Sequence, residues 1–580
     1  MVLKVPAASK LGDTMDDPVL RAYLKDFSSS HDMDGIGESV LFEYFSAYCV
    51  FLRDFSEHVV LDDVVVSGGL DTAIDAAGIF INDIPVTSPV QVDEIAARQR
   101  IEVDFAFIQS KTSRSLNAAE VGSYIQGIKE FFGPRYQPAN DDIAAKRFLS
   151  DHVFINSVKM RSKPRLHIFY CYAGSFKNDP VIEARVQSGC DEIKAYNLFS
   201  DISFEFLDAE RLQQRYQEAN LRIEREVQMN EYASLPIING IRQAYLGVLP
   251  CKELVKLLSN SDGRLHKSLF NENVRDYLSR NAVNDEIAET IKSPEGQGRL
   301  AALNNGITIV ARDIKIVGKR FTLSDYQIVN GCQTSHIVFE HQHLLQENTS
   351  LPVKLIEAEN RDLVNEIVRA TNRQTEVKDE AFAVLSEFHK KIERFFLSTE
   401  VDSSHKLVYE RRKRQYADTT FTAQNVITLT VLTNAFVSCV LENPVDANDY
   451  YGVLLTRYQD RMYVEEHSLW PYLISAVILR EIEKLCIGKA RPVLWKFRFI
   501  IALLVRRNFG AVPNLRNDGA QKSYAARVLE VCYNGEKFRD YVKNAEIAIA
   551  DEIKRSGVEF DARNAHQDRK FVEKLLQRIG

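Results

Sequence analysis

The sequence has little that would place it outside a cell or across a membrane. Its eight cysteines (Cys49, Cys171, Cys190, Cys251, Cys332, Cys439, Cys486 and Cys532) are scattered, and no two form a CxxC pair. That excludes a zinc ribbon and the disulfide scaffold of a small secreted domain. The opening MVLKVPAASKLGD has no apolar stretch of the kind a secretory leader needs. The longest apolar run near the rear, Phe499 to Val505, is too short to span a bilayer. The expectation is a soluble protein of the cytoplasm with no membrane partner. There is no excess of positive charge either. Lys plus Arg is 73 and Asp plus Glu is 80, a net charge of −7, which excludes a histone-like, globally basic binder of nucleic acid. Enzyme signatures are also sparse: no GxSxG elbow, no HExxH helix, no Cys/His nucleophile pattern and no GxxxxGK[ST] phosphate loop occurs.

What is present is a globular composition, 45% hydrophobic and 26% charged, in 580 residues. At roughly 150 residues per domain, that length suggests about three or four domains. Charge is uneven along the chain. Residues 1–145 hold 11 Lys/Arg against 23 Asp/Glu, and the remainder holds 62 against 57. The front is acidic and the rear mildly basic.

Hydrophobic spacing predicts a helix over 36–51, with Val40, Leu41, Phe45, Tyr48 and Cys49 on one stripe. Strands are expected at 59–67 and 73–81, joined by a Gly68-Gly69 turn, and at 101–111, 166–172 and 202–207. Residues 118–132 and 208–226 read as helices and 135–142 as a loop. Further on, 321–329 reads as a strand, 334–346 as a helix, and 425–580 as mostly helical. No internal repeat or low-complexity tract is present.

The chemistry concentrates in the front. Alternation puts Val103, Phe105, Phe107, Gln109 and Lys111 on one strand face, so an apolar face ends in an amide and an ammonium. Asp75 lies at the end of the Ala77, Ile79, Ile81 stripe, and Glu43 sits between Phe42 and Phe45. Charges at such positions must be paired, metal-bound or exposed at the sheet's edge. Phosphodiester hydrolysis is the reaction that wants this set. Mg²⁺ or Mn²⁺ would be held by Glu43 and Asp75 with Gln109 as a neutral ligand, and Lys111 would orient water and stabilise developing charge. Glu38 and Asp71 are near alternatives to Glu43 and Asp75. The plain alternative is an Asp75–Lys111 ion pair at a sheet end.

The order helix Glu, strand Asp, strand Gln-x-Lys, helix resembles the PD-(D/E)xK nuclease core, in the Gln-x-Lys branch found in type IV restriction endonucleases. It departs from most members in carrying Gln109 where they have an acid. Farther along stand Phe270-Asn-Glu-Asn-Val-Arg-Asp-Tyr-Leu278, Asn304-Asn-Gly-Ile-Thr308, Ile328-Val-Asn-Gly-Cys-Gln-Thr334 and Ala370-Thr-Asn-Arg-Gln-Thr375. In this order they resemble the AIPR (abortive infection phage resistance) family, whose N-terminal part Ile74-Asp75 and Phe107-Ile-Gln-Ser-Lys111-Thr also resemble. One departure is Leu300-Ala-Ala-Leu303, where members usually carry bulky aromatics.

These resemblances imply an α/β (α+β) fold in three parts: a restriction-endonuclease-like mixed sheet flanked by helices over 1–218, a mixed α/β AIPR domain over 219–424, and a mostly helical C-terminal region over 425–580. They imply a bacterial anti-phage defence protein acting as a metal-dependent endonuclease, on DNA rather than RNA. The rival is a catalytically degenerate defence protein that binds nucleic acid or senses a nucleotide. Asn330, Gly331, Gln333 and Thr334, at a strand-to-helix turn, are candidates to hold a phosphate of a nucleotide; turn and helix capping is their plainer role. Arg411, Arg412, Lys413 and Arg414, flanked by Tyr409 and Tyr416, are candidates for nucleic-acid phosphates. From Lys484 to Arg516 eight Lys/Arg and no acid are interleaved with Trp495, Phe497, Phe499 and Phe509, which reads either as a nucleic-acid surface or as core with a solvated face. His336, His341 and His343 lack the i, i+4 spacing a helical metal site needs. A phage-derived or nucleotide trigger and a homodimer complete the expected partners.

Overall fold

The computed structural model describes residues 17–56, 59–66, 69, 72–98, 100–133, 140–220, 224–260, 263–270, 282–358, 367, 387–402, 405–411, 415–416, 419–486, 492–557 and 565–579. The chain forms two compact units. One comprises Met1–Phe51, His58–Gln213 and Ala383–Gly580, the other Leu52–Glu57 and Gln214–Phe382. The first and last segments distinguished in the sequence therefore share one unit.

The front of the chain runs α1 (Pro18–Ser30), α2 (Glu38–Ala47), a π-helical turn (Tyr48–Leu52), α3 (Leu61–Val64), β1 (Ala76–Ile81), β2 (Ile84–Pro85), α4 (Pro89–Arg98), β3 (Val103–Lys111), α5 (Ala118–Phe132), α6 (Asp141–Ile155), β4 (Arg165–Tyr172), α7 (Pro180–Lys194), β5 (Asp201–Leu207) and α8 (Ala209–Asn220). The sheet order is β2-β1-β3-β4-β5. β1 is antiparallel to β2 and β3, while β4 runs parallel to β3 and β5 parallel to β4. Parallel neighbours need a crossover, and α5 begins the one between β3 and β4. Asn117 opens α5 by accepting from the Ala119 N–H. α5 then lays Val121, Tyr124, Ile125 and Ile128 on the sheet face formed by Val103, Phe105, Phe107, Ala77, Ile79 and Ile168. The opposite face meets the π turn that continues α2, where Phe51 packs on Phe80 with ring centroids 5.8 Å apart. With helices on both faces, β3 is buried along its length until Lys111.

The expected strand over 59–67 is instead the single helical turn α3, followed by one bridge, Val65 to Ala76. Its valines suggest a strand, but Asp62 and Asp63 occupy the first turn of a helix, where a carboxylate is favoured by the exposed N–H groups. The Tyr44 hydroxyl of α2 fixes Asp62 at 2.6 Å. The expected helix over 208–226 stops at Asn220; from Glu224 the chain becomes a strand edge paired to residues 320–324.

The second unit holds β6 (Glu224–Gln228), β7 (Glu231–Ser234), β8 (Ile241–Pro250), α9 (Cys251–Leu258), α10 (Ala282–Lys292), α11 (Pro294–Leu303), β9 (Ile307–Val317), β10 (Arg320–Asn330), α12 (Cys332–Glu340) and β11 (Ser350–Ala358). Its sheet order is β6-β10-β9-β11-β8-β7. Only the β9–β11 pairing is parallel among these. The rear of the first unit is helical, as its composition suggests. Helices Leu429–Cys439, Trp470–Lys484, Arg498–Arg507, Asp518–Cys532 and Gly535–Arg555 close on a core that includes Phe436, Tyr472, Ile478, Leu504 and Tyr524. No helix among the described residues is long and apolar enough to cross a membrane.

Candidate active site at the end of the front sheet

Asp75 ends the bend that enters β1. Its N–H donates to the Ile108 carbonyl at 2.9 Å, which locks its register against β3 and sets it opposite Gln109. The approach to Asp75 is unusual. Thr72 and Ala73 both have left-handed backbones, φ +56° and +62°. Side chains adopt that region rarely, at a cost of about 1–3 kcal/mol each, and such residues cluster at functional sites. The bend is pressed onto α5 at Gly127, where an added Cβ would lie 2.0 Å from the Thr72 carbonyl oxygen. A glycine is required there because the backbone of the bend occupies the space of a side chain.

The sequence-predicted Asp75 and Gln109 are brought together. The Gln109 amide Nε2 donates to Asp75 Oδ2 at 2.5 Å, and the Ser110 N–H donates to the same oxygen at 2.6 Å. Both residues are buried, Asp75 at 9% exposure and Gln109 at 1%. Because its NH₂ faces the carboxylate, the Gln109 carbonyl Oε1 points elsewhere, and it is buried without a hydrogen-bond partner. A buried acceptor without a donor is costly, about 1–3 kcal/mol, so its persistence calls for an explanation. Lys111, two residues on, is half-buried, and its ammonium has no ion pair or hydrogen bond among the described residues. Glu43 is half-buried on α2, the helix that packs against β3. Glu38 begins that helix, and Asp71 lies outside the described residues.

Residues not singled out in the sequence complete the surroundings. Tyr170 of β4 is the register partner of Gln109, and its hydroxyl donates to Glu120 of α5 at 3.3 Å. Burial, then the Glu120 carboxylate, then Asp75 raise the Tyr170 phenol above its ordinary range. Tyr124 of α5 is raised well above it, mainly by burial, with the Asp75 charge contributing. Both therefore remain neutral donors at any physiological pH. Tyr124 lies on the apolar stripe of a helix legible in the sequence, so its direction could have been inferred from the 3.6-residue period. Nothing in the sequence sets the register that places Tyr170 beside Gln109.

The donor types suit a hard divalent cation, provided the Gln109 amide turns its oxygen toward the Asp75 carboxylate that its NH₂ now faces. Asp75 supplies a carboxylate and Gln109 an uncommitted carbonyl oxygen, both of the ligand type that Mg²⁺ and Mn²⁺ take. The set is lean in charge: among the described residues no three His, Cys, Asp or Glu side chains gather as a metal site.

The other predicted residues lie elsewhere. Asn330 ends β10, Gly331 turns the chain with φ +90°, and α12 starts at Cys332. The Asn304 amide donates to the Thr334 hydroxyl at 3.1 Å, and a Cβ on Gly331 would meet Ile307 at 2.5 Å. Two of the sequence motifs, 304–308 and 330–334, thus meet at one sheet end, and Thr334 is used to join them. Gln333 is half-buried in the first turn of α12. Arg411 is largely buried and ion-paired with Glu393, which also binds the Gln415 amide. Arg412, Lys413 and Arg414 lie outside the described residues, as do 271–278 and 370–375 of the other motifs. Among the described residues, most cations of the basic segment 484–516 are engaged internally, while Lys489 and Arg491 lie outside the described residues. Lys484 pairs with Glu481, Lys496 with Asp142, Arg498 with Asp63, and Arg506 and Arg507 with Glu442. Phe497, Phe499 and the helix Arg498–Arg507 belong to the rear core.

Residues 270–525 match the family model described as AIPR protein. Over that region, which is less than half of the chain, the sequence is similar to the AIPR family. The match begins at Phe270, the first residue of the Phe-Asn-Glu-Asn motif, and does not extend over the front sheet. No curated protein matches the chain, and no solved structure matches it.

Proposed function

We propose that this protein defends against phage as a metal-dependent nuclease whose active site is Asp75, Gln109 and Lys111. The observation that carries the reading is the buried, unpartnered carbonyl of Gln109, held beside the Asp75 carboxylate two residues before an uncommitted lysine. Asp75 and Gln109 would hold Mg²⁺ or Mn²⁺, with Glu43 of α2 as the candidate further carboxylate. The metal, when bound, supplies an activated water and neutralises phosphate charge. The chain's own residues do the rest. Ser110 N–H and Gln109 Nε2 fix the orientation of the Asp75 carboxylate. Lys111 carries a positive charge to the mouth of the site, where it stabilises the phosphorane-like charge that develops in the reaction. Tyr124 and Tyr170 wall off one side from water while staying uncharged. Duplex DNA is the expected substrate.

A second reading has one specific observation in its favour: Asp75 Oδ2 already accepts two hydrogen bonds, and Gln109 adds no negative charge. Such a site suits a protein that binds nucleic acid without cutting it. Incubating the full chain with duplex DNA, single-stranded DNA and RNA, in Mg²⁺ or in EDTA, separates the two. Metal-dependent cleavage of any of the three supports the nuclease, and binding without cleavage in every metal condition supports the rival.

A further inference from the structure

We infer that Trp495 and Arg498, both within the AIPR-matched residues, act as positioning residues for Asp75, through α3. α3 has four residues, Leu61–Val64, and a helix so short has no stability of its own. It is fastened from two sides. The Tyr44 hydroxyl, from the helix that carries Glu43, donates to Asp62 Oδ1 at 2.6 Å. The Trp495 indole N–H donates to Asp63 Oδ1 at 2.8 Å. Arg498 stands 3.8 Å from the other Asp63 oxygen and stacks on the Trp495 ring, 4.1 Å from its centroid.

The exit of α3 leads straight to the site. Val65 bridges Ala76, and the Val66 N–H donates to the Asp75 carbonyl at 2.7 Å. Asp75 is thus suspended between β3, which takes its N–H, and the segment leaving α3, whose Val66 N–H holds its carbonyl. Other contacts join front and rear: Lys496 with Asp142 at 3.4 Å, Arg457 with Glu94, and the Gln91 amide with the Asn448 carbonyl at 2.6 Å. They fall on α6 and α4. Asp63, by contrast, lies on the segment bonded to Asp75. Withdrawal of Trp495 releases α3, and with it the Val66 N–H that holds the backbone of Asp75 in place. The AIPR region thereby has a physical path to the front site. Its meaning as control of cleavage rests on the nuclease reading; the path itself does not.

The test is hydrogen exchange read by mass spectrometry on the full chain, without nucleic acid. Trp495→Phe keeps an aromatic ring under Arg498 and removes the donor to Asp63. A missing hydrogen bond to a charged group corresponds to roughly tenfold or more in a local opening equilibrium. Exchange in the peptide covering 60–66 is expected to quicken by about tenfold, with a smaller rise over 72–77 and no change over β4 at 165–172. Asp63→Asn, which keeps an acceptor for the indole, is expected to quicken it less than Trp495→Phe does. Unchanged exchange over 60–66 in Trp495→Phe overturns the inference, and so does an equal rise at 165–172, which would report general loosening. Where the wild type cleaves, the Mg²⁺ concentration for half-maximal rate is expected to rise several-fold in Trp495→Phe. If the wild type cleaves nothing while 60–66 still loosens, the nuclease reading fails and the path stands.

Discussion

Replacing Gln109 by glutamate puts a second carboxylate where an amide now donates to Asp75 at 2.5 Å. Two terms act in the metal-free protein. The hydrogen bond to a charged acceptor disappears, about 1.5–3 kcal/mol. Two like charges are also brought together in a buried place. At an effective dielectric constant of 20, unit charges 4 Å apart repel by about 4 kcal/mol. The pair escapes part of this by retaining a proton, so one carboxyl of the pair titrates above its unfolded value. A carboxyl whose folded pKa is raised gives its full stability below the unfolded pKa, and that contribution is lost as pH rises through the raised value. Gln109→Glu is therefore expected to lose about 2–4 kcal/mol relative to wild type at pH 8 in EDTA, and less at pH 5. A divalent cation removes the repulsion, so Mg²⁺ should recover most of the loss at pH 8 and bind more tightly than to wild type. Urea denaturation at the two pH values, with Mg²⁺ or EDTA, measures all of this. Equal stability of variant and wild type in EDTA at pH 8 would refute the Asp75–Gln109 hydrogen bond. A loss that Mg²⁺ does not recover would refute the pair as its ligands.

Other expectations follow from the same geometry. Lys111→Ala should abolish cleavage with a denaturation midpoint near wild type, since the ammonium holds no partner among the described residues; Asp75→Ala should abolish it and also cost about 1–3 kcal/mol in urea, because Gln109 and the Ser110 N–H are left without their acceptor. Gly127→Ala should destabilise the front sheet and impair metal binding together, because its methyl would enter the Thr72 carbonyl; a calorimetric Mg²⁺ titration matching wild type would contradict this. His389 is fully buried beside the Tyr409 hydroxyl and its pKa is lowered to about 3, by burial and then by Arg411. It stays neutral when folded but takes a proton when unfolded below about pH 6.5, so acidification should cost roughly 1.4 kcal/mol per pH unit between those values, and His389→Asn should flatten that part of the stability–pH curve. Arg411→Ala should lower stability by removing the Glu393 ion pair, whereas charge reversal of Arg412, Lys413 and Arg414 should weaken nucleic-acid binding and reduce its salt slope by about one unit for each phosphate no longer neutralised.

The front sheet was largely legible because its residues obey simple periods. β3 alternates, α5 carries a 3.6-residue stripe, and the Asp75 and Gln-x-Lys positions fall at strand ends where a buried charge must find a partner. The strand expected at 59–67 was misread because valines at 64–66 outweighed two aspartates whose preference is for a helix start. Long-range partners were beyond reach. No period in the sequence reveals that Trp495 donates to Asp63, 432 residues away, or that Tyr170 stands beside Gln109. The basic segment 484–516 was ambiguous for the same reason: Asp142, Asp63 and Glu442, which engage several of its cations, lie outside it in sequence.

Protection against phage by cells carrying wild type or Lys111→Ala at matched protein levels tests the central claim most directly, because the substitution removes a charge at the site and little else. Plaquing efficiency is expected to fall in cells with the wild type and to return to that of unprotected cells with Lys111→Ala. If Lys111→Ala protects as well as wild type, defence by this protein does not run through the Asp75–Gln109–Lys111 site.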